Sequence, residues 1–200
     1  MTLKEMKIKT FSLIEEYYPN ETLLAEDEDV RNKINSVINE IQMDLMPLRK
    51  LPTYEDIEIE KEDDREIIIS DSISDMYQLD KIELSDKNYN YTMPNDDTIV
   101  LEDGFEGTIR IYYFKYPKLV KIFDKNATDS EISNYDEKFK FDLDPILLEI
   151  MPMGVGAELL KMDMINNYGE YFHKRYLEMK QSIDTRRTAG IIKIEGGYDI

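Results

Sequence analysis

The chain has no cysteine, no tryptophan and one histidine, His173, in 200 residues. Those absences remove whole classes of chemistry. Thiol catalysis, disulfide frameworks and cysteine-based zinc or iron–sulfur centres are excluded. One imidazole cannot build a histidine-ligated zinc site, so only oxygen ligands for calcium or magnesium remain. There is also no apolar run near the roughly 18–20 residues of a membrane helix. Met1–Thr10 is a lysine-rich amphipathic stretch without a signal-peptide core. A soluble chain made in the cytoplasm is expected, folded as one domain or as one domain carrying an inserted subdomain.

Bases are scarce as well, with 25 Lys and Arg against 43 Asp and Glu for a net charge of −18. The deficit is local. Residues 53–103 hold seventeen acids and four bases, so −13 of the −18 lies in one quarter of the chain. Phosphate binding needs clustered Lys and Arg, and no basic run exceeds a pair such as Arg186-Arg187. A sequence-specific DNA-binding module is therefore not expected. The acids form either a solvated face or a surface that repels nucleic acid.

From Asp27 to Met46, Val30, Ile34, Val37, Ile38, Ile41 and Leu45 form one stripe of a 3.6-residue period, stopped by Pro47. Leu3, Met6, Ile14, Tyr17 and Tyr18 mark an earlier helix ending near Pro19, and the two are expected to form a hairpin. After Pro52 the period shortens. Strand signals fall at Ile57–Ile59, Glu66–Ser70, Gln78–Leu84, Thr98–Leu101 and Thr108–Phe114, with turns at Asp86–Asn88, Met93–Asn95 and Asp103–Gly107. Helical signals return at Asp144-Pro145, an N-cap followed by proline at the first helical position. Pro152, Gly154 and Gly156 should bend that helix or admit close packing. A last helix over Tyr168–Ile183 carries Tyr168, Tyr171, Phe172, Tyr176, Met179 and Ile183 on one side. The predicted fold is α+β: an antiparallel helical bundle over 1–52 and 140–187, an inserted acidic antiparallel β subdomain over 53–123, a polar loop over 124–139 and a docking tail with a strand over 188–200.

No catalytic, metal or cofactor site stands out. The 43 acids single out no general acid–base pair. Asp124–Asp129 starts like a calcium loop, but Asp129 replaces the glycine its turn needs and Tyr135 the bidentate glutamate. Gly154 and Gly156 lack a phosphate-loop context. The tyrosines of the β region, Tyr89, Tyr91, Tyr112 and Tyr116, are the better candidates for an interface.

Three stretches, in order, carry a resemblance to a family. The first is Val30 to Gln42 leading through Leu51-Pro52 into β structure. The second is Gly107-Thr108-Ile109-Arg110-Ile111-Tyr112-Tyr113-Phe114-Lys115-Tyr116-Pro117. The third runs from Phe141-Asp142-Leu143 through Gly154–Asp163 and Tyr168-Gly169 to Tyr176, closing on Ile194–Ile200. Together they resemble the head-tail connector adaptor, or head-completion, proteins of tailed phages and prophages. The acidic β insert is longer than in compact all-helical members.

The resemblance implies a non-enzymatic virion protein of the neck, made in the host bacterial cytoplasm. Its partners would be the portal protein, further copies of itself in a ring, a dodecamer when assembled, and the next neck or tail-completion protein. DNA would pass through the ring during packaging and ejection without specific binding, and no cofactor or membrane would be involved. Glu58, Glu60, Glu62, Asp63 and Asp64 are then expected to face the channel, where like-charge repulsion keeps DNA from adhering. Ile191, Ile192, Ile194, Gly196, Gly197, Tyr198 and Ile200 are expected to add as a strand to the portal or a neighbouring subunit. The alternatives are another neck or tail-completion virion protein, or an acidic DNA-mimic inhibitor of a host nucleic-acid enzyme.

Overall fold

A computed structural model describes residues 1–17, 28–60, 65–124, 127–161 and 168–188. The fold is α+β. The chain divides into a helical unit, Met1–Arg49 with Pro117–Ile200, and a β unit, Lys50–Tyr116.

The helical unit contains α1 (Leu3–Tyr17), α2 (Glu28–Leu45) with a 3-10 turn at Met46–Leu48, and, after the β unit, α4 (Asp129–Lys138), α5 (Pro145–Lys161) and α6 (Tyr168–Thr188). The Asp144 carboxylate accepts from Ile146 N–H at 2.8 Å and Pro145 takes the first helical position, so α5 starts where the cap signal puts it. Leu147, Leu148, Ile150, Met151, Val155, Leu159 and Leu160 are buried around its circumference. A helix apolar all round belongs in the middle, and α1, α2 and α6 all pack on α5. Of the two helices expected to form a hairpin, α1 and α2 each pack on α5, and α1 also meets α4.

Close packing explains the α5 glycines. A Cβ at Gly154 would lie 2.8 Å from a Tyr176 ring carbon and 3.2 Å from Ile41, while one at Gly156 would lie 3.2 Å from the Phe172 ring. Phe172, Tyr176 and Ile183 form the buried side of α6, whereas Tyr171, assigned to that side by spacing, is 49% exposed. The Tyr176 hydroxyl donates to Asp44 of α2 at 2.5 Å, and Lys180 donates to the same carboxylate at 2.6 Å.

Two sequence expectations change here. Residues 124–139 are not a polar loop throughout, because Thr128 and Glu131 form a reciprocal capping box that starts α4. Residues 117–123 do not belong to the β region. They return along α2 as an extended strap: the Asn39 side chain donates to Val120 C=O (2.9 Å) and accepts from its N–H (2.8 Å), and Asn35 donates to Lys121 C=O (2.8 Å). Lys118 N–H donates to Asp142 and Lys121 N–H to the Tyr135 hydroxyl. Side chains thus satisfy a backbone that has no strand partner.

The β unit contains β1 (Leu51–Ile59), β2 (Glu66–Ile68), a helical turn α3 (Ile69–Ser72), β3 (Met76–Leu84), β4 (Tyr91–Asn95), β5 (Thr98–Leu101) and β6 (Gly107–Lys115). They form two antiparallel sheets of order β1-β6-β3 and β2-β5-β4. Ile109, Ile111 and Tyr113 alternate into a core with Ile69, Ile82 and Ile99. Met93-Pro94-Asn95, expected as a turn, lies in β4. Proline is tolerated there because β4 is an edge strand whose register shifts between Thr92 and Asn95. The turn falls at Asp96-Asp97, and Asp97 also ends β2 by accepting from Ser70 N–H and Oγ. Gly107 has φ +143°, and a Cβ there would lie within 2.4 Å of Ser85 Oγ, which accepts from Thr108 N–H.

Two outcomes follow for the helical unit. Gly154→Ala gains up to about 1 kcal/mol of helix propensity but forces a methyl into a ring pinned by Asp44. Overpacking of about 1–3 kcal/mol should win, lowering the urea midpoint with an unchanged slope, while Gly156→Ala costs less. Burial alone would raise the Asp44 carboxyl, but donation from Lys180 and Tyr176, with His173 nearby, holds it below the usual range. A depressed folded-state value means stability is present above the ordinary carboxylate pKa and lost as pH falls through the folded one. Unfolding free energy should therefore drop on acidification below about pH 4, and Tyr176→Phe with Lys180→Met should flatten that limb.

Candidate interaction surface on the β unit

Because Ile109, Ile111 and Tyr113 point inward, Thr108, Arg110, Tyr112 and Phe114 must line the opposite face of the β1-β6-β3 sheet. Register brings Glu58, Asp56, Tyr54 and Pro52 of β1 beside them, and Glu83, Lys81 and Gln78 of β3 on the other side. Each row is a cross-strand group of complementary chemistry. Arg110 makes a two-pronged bond to Asp56, both contacts 2.7 Å, while its guanidinium lies 4.5 Å from the Tyr54 ring centre. Lys81 donates to Glu83 at 2.7 Å and lies 4.2 Å from the centre of Tyr112, whose hydroxyl also donates to Glu83 at 3.0 Å. Lys50 lies over Phe114 at 4.9 Å and donates to Gln78. Tyr54 and Tyr112 are 5.9 Å apart, and Thr108 donates to Glu58.

The charges follow from these contacts. The Arg110 guanidinium holds the Asp56 carboxyl below its ordinary value, and Asp56, then Tyr112, hold Arg110 more firmly protonated. Lys81 and Tyr112 lower Glu83, and Glu83 raises Lys81. On the inner face, burial and the bond to Asp75 push the Tyr113 hydroxyl up to about 12. Every cation of the outer grid is occupied by a carboxylate, an amide or a ring. The face therefore offers no uncompensated cluster for phosphate, and the faces of Tyr54 and Tyr112 are covered rather than open to a stacking base.

Glu58 lies on this grid and Glu60 is exposed just beyond β1. Glu62, Asp63 and Asp64 lie outside the described residues, as do Ile191, Ile192, Ile194, Gly196, Gly197, Tyr198 and Ile200. Tyr112 belongs to the grid, Tyr116 is 40% exposed and stacks edge-on to Tyr77, and Tyr89 and Tyr91 lie elsewhere on the unit. Tyr54, Lys81, Glu83 and the Arg110–Asp56 pair were missed by sequence reasoning. Alternation along 108–114 marks 110, 112 and 114 as outward, but their partners depend on register. Among the described residues no group of acids or His173 could hold a metal ion, and no helix is long and apolar enough to cross a membrane. No protein-family model and no curated protein matches the sequence.

Tyr112 is the junction of the grid. Tyr112→Phe should change unfolding free energy by less than about 0.5 kcal/mol, because the Glu83 bond it loses is solvent-exposed. Tyr112→Ala should cost about 1 kcal/mol or more by removing the ring that Lys81 and Tyr54 share, a contrast that urea titration of the three proteins reads directly.

Proposed function

We propose that the chain is a structural subunit of a larger assembly, a binding protein rather than an enzyme. More particularly, we read it as an adaptor of a tailed-phage head-tail connector, located in the virion neck and forming a ring beneath the portal. The observation that carries this reading is the order of the three resembling stretches. They fall on α2 and its passage into β1, on β6 ending before Tyr116-Pro117, and on the packed pair α5 and α6, with the closing Ile194–Ile200 outside the described residues. The inserted β unit adds a surface suited to a channel through which DNA passes without adhering. Lys50–Tyr116 carries eighteen acids and seven bases, and the cations of its outer grid are engaged within the unit. Fields from such a surface act on a polyanion over about one Debye length, roughly 10 Å at 0.1 M salt.

Mixing the purified chain with the portal protein encoded in the same genome, followed by size-exclusion chromatography with light scattering, tests this. A stoichiometric ring complex is expected, lost on deletion of residues 188–200. Absence of a complex at micromolar concentration refutes the adaptor reading. A complex that survives the deletion refutes only the docking role of the tail.

A further inference from the structure

Asp103-Gly104 is the one place in the chain where an aspartate or asparagine precedes glycine. Glycine has no Cβ to keep its amide nitrogen away from the side-chain carboxyl before it. The pair lies in the turn between β5 and β6, closed by Phe105 N–H donating to Glu102 C=O at 3.4 Å, and Gly104 has φ +86°, the left-handed region that favours glycine. The Asp103 side chain is 97% exposed and pairs with Arg65. There is room around Gly104: a Cβ there would meet only the Tyr89 hydroxyl, at 3.8 Å. Among the described residues the Gly104 N–H has no acceptor. An exposed carboxyl thus precedes an unengaged amide nitrogen in open space. Both ends of the turn are nevertheless fixed. Glu102 N–H donates to Asn90 C=O (3.3 Å) and the Glu102 carboxylate accepts from Asn90 N–H (3.1 Å). Phe105 is 4% exposed in the core of the β unit and stacks edge-on to Tyr89 at 5.6 Å.

We propose that Asp103 is a site of spontaneous conversion to isoaspartate, and that the conversion loosens the β unit. Once the carboxylate is released from Arg65 and protonated, the Gly104 nitrogen attacks Asp103 Cγ. The N–Cγ bond forms, the bond from Cγ to its hydroxyl breaks, and the N–H proton leaves with that hydroxyl as water. Water then adds to the α-carbonyl of the five-membered imide and breaks its bond to nitrogen, so the chain continues through Cβ. No co-reactant is consumed and the composition is unchanged. The backbone between Glu102 and Phe105 is now one methylene longer. Because both ends of the turn are pinned, either Phe105 or the Glu102–Asn90 pairing must shift, and a close-packed core passes that strain on. The inference goes beyond the adaptor reading and does not depend on it.

The test incubates the full chain for several weeks at neutral pH and body temperature in ¹⁸O-water. Trypsin then releases residues 88–110 as one peptide, whose isomers are separated by chromatography and located by electron-transfer fragmentation. Isoaspartate carrying heavy oxygen is expected at residue 103 ahead of every other aspartate. Brief proteolysis across a urea series reads both isomers at once, and the isoaspartate form should have the lower midpoint. Arg65→Gln should speed the conversion by freeing the carboxylate. Asp103→Glu, which would need a six-membered ring, should abolish it, and circular dichroism reports whether each variant is folded. Absence of isoaspartate at residue 103, or earlier conversion of another aspartate, overturns the site. Equal midpoints for the two isomers overturn its coupling to the fold, and an unchanged rate in Arg65→Gln overturns the restraint assigned to that ion pair.

Discussion

The helical unit depends on one side chain, Tyr176. Its ring lies on the α5 backbone at Gly154, its hydroxyl reaches Asp44 of α2, and its own backbone belongs to α6, so three helices meet at one residue. A ring can lie that close to a helix only where the helix has no Cβ. The glycine costs roughly 1 kcal/mol of helix propensity relative to alanine, and the contact must return more than that in buried area and dispersion. Pro152 adds a second local penalty within α5, since it removes one intrahelical donor. A helix with both handicaps persists because it is apolar on all sides and surrounded by α1, α2 and α6.

The same unit shows how a buried polar helix face is made useful. Asn35 and Gln42 are at most 5% exposed, in positions where apolar residues would continue the α2 stripe. With Asn39 between them, they lie along the α2 face that meets the strap. The strap is extended and has no strand beside it, so its N–H and C=O groups would be costly to bury. Asn39 supplies a donor and an acceptor to Val120, as a neighbouring strand would. That arrangement lets Val120 be buried while Leu119 and Ile122 on either side remain more than half exposed.

The parts legible in the sequence were those set by local periodicity. The α2 stripe, the Asp144-Pro145 start of α5 and the alternation of β6 are each decided within a dozen residues, and the structure places all three where the pattern indicates. What was not legible depends on contacts distant in sequence. Strand β1 extends back to Leu51 because Tyr54 pairs with Tyr112 and Asp56 with Arg110, partners more than fifty residues away. Strand β4 accommodates Pro94 only because its outer edge is unpaired. The strap fell within the bounds expected for the β subdomain, and its partner proved to be a row of amides on a helix. The start of α4 is a different kind of miss, since the Thr128 and Glu131 spacing was present in the sequence and was outweighed by the polarity around it.

Net charge alone would describe the β unit as uniformly acidic, and the contacts show why that is insufficient. On the outer grid Arg110 pairs with Asp56 and Lys81 with Glu83, while Lys50 lies over Phe114 and donates to Gln78, so each cation is engaged and the rings of Tyr54, Tyr112 and Phe114 are covered. In the turn between β3 and β4, Asp86 accepts from the Asn88 amide, and Glu102, just after β5, accepts from that of Asn90, both neutral donors. Matched pairs stabilise a fold weakly and present little field to a partner. Carboxylates outside such pairs contribute little to the fold and present most of the field. The field that the unit presents therefore depends on how its charges are paired and not only on how many it carries.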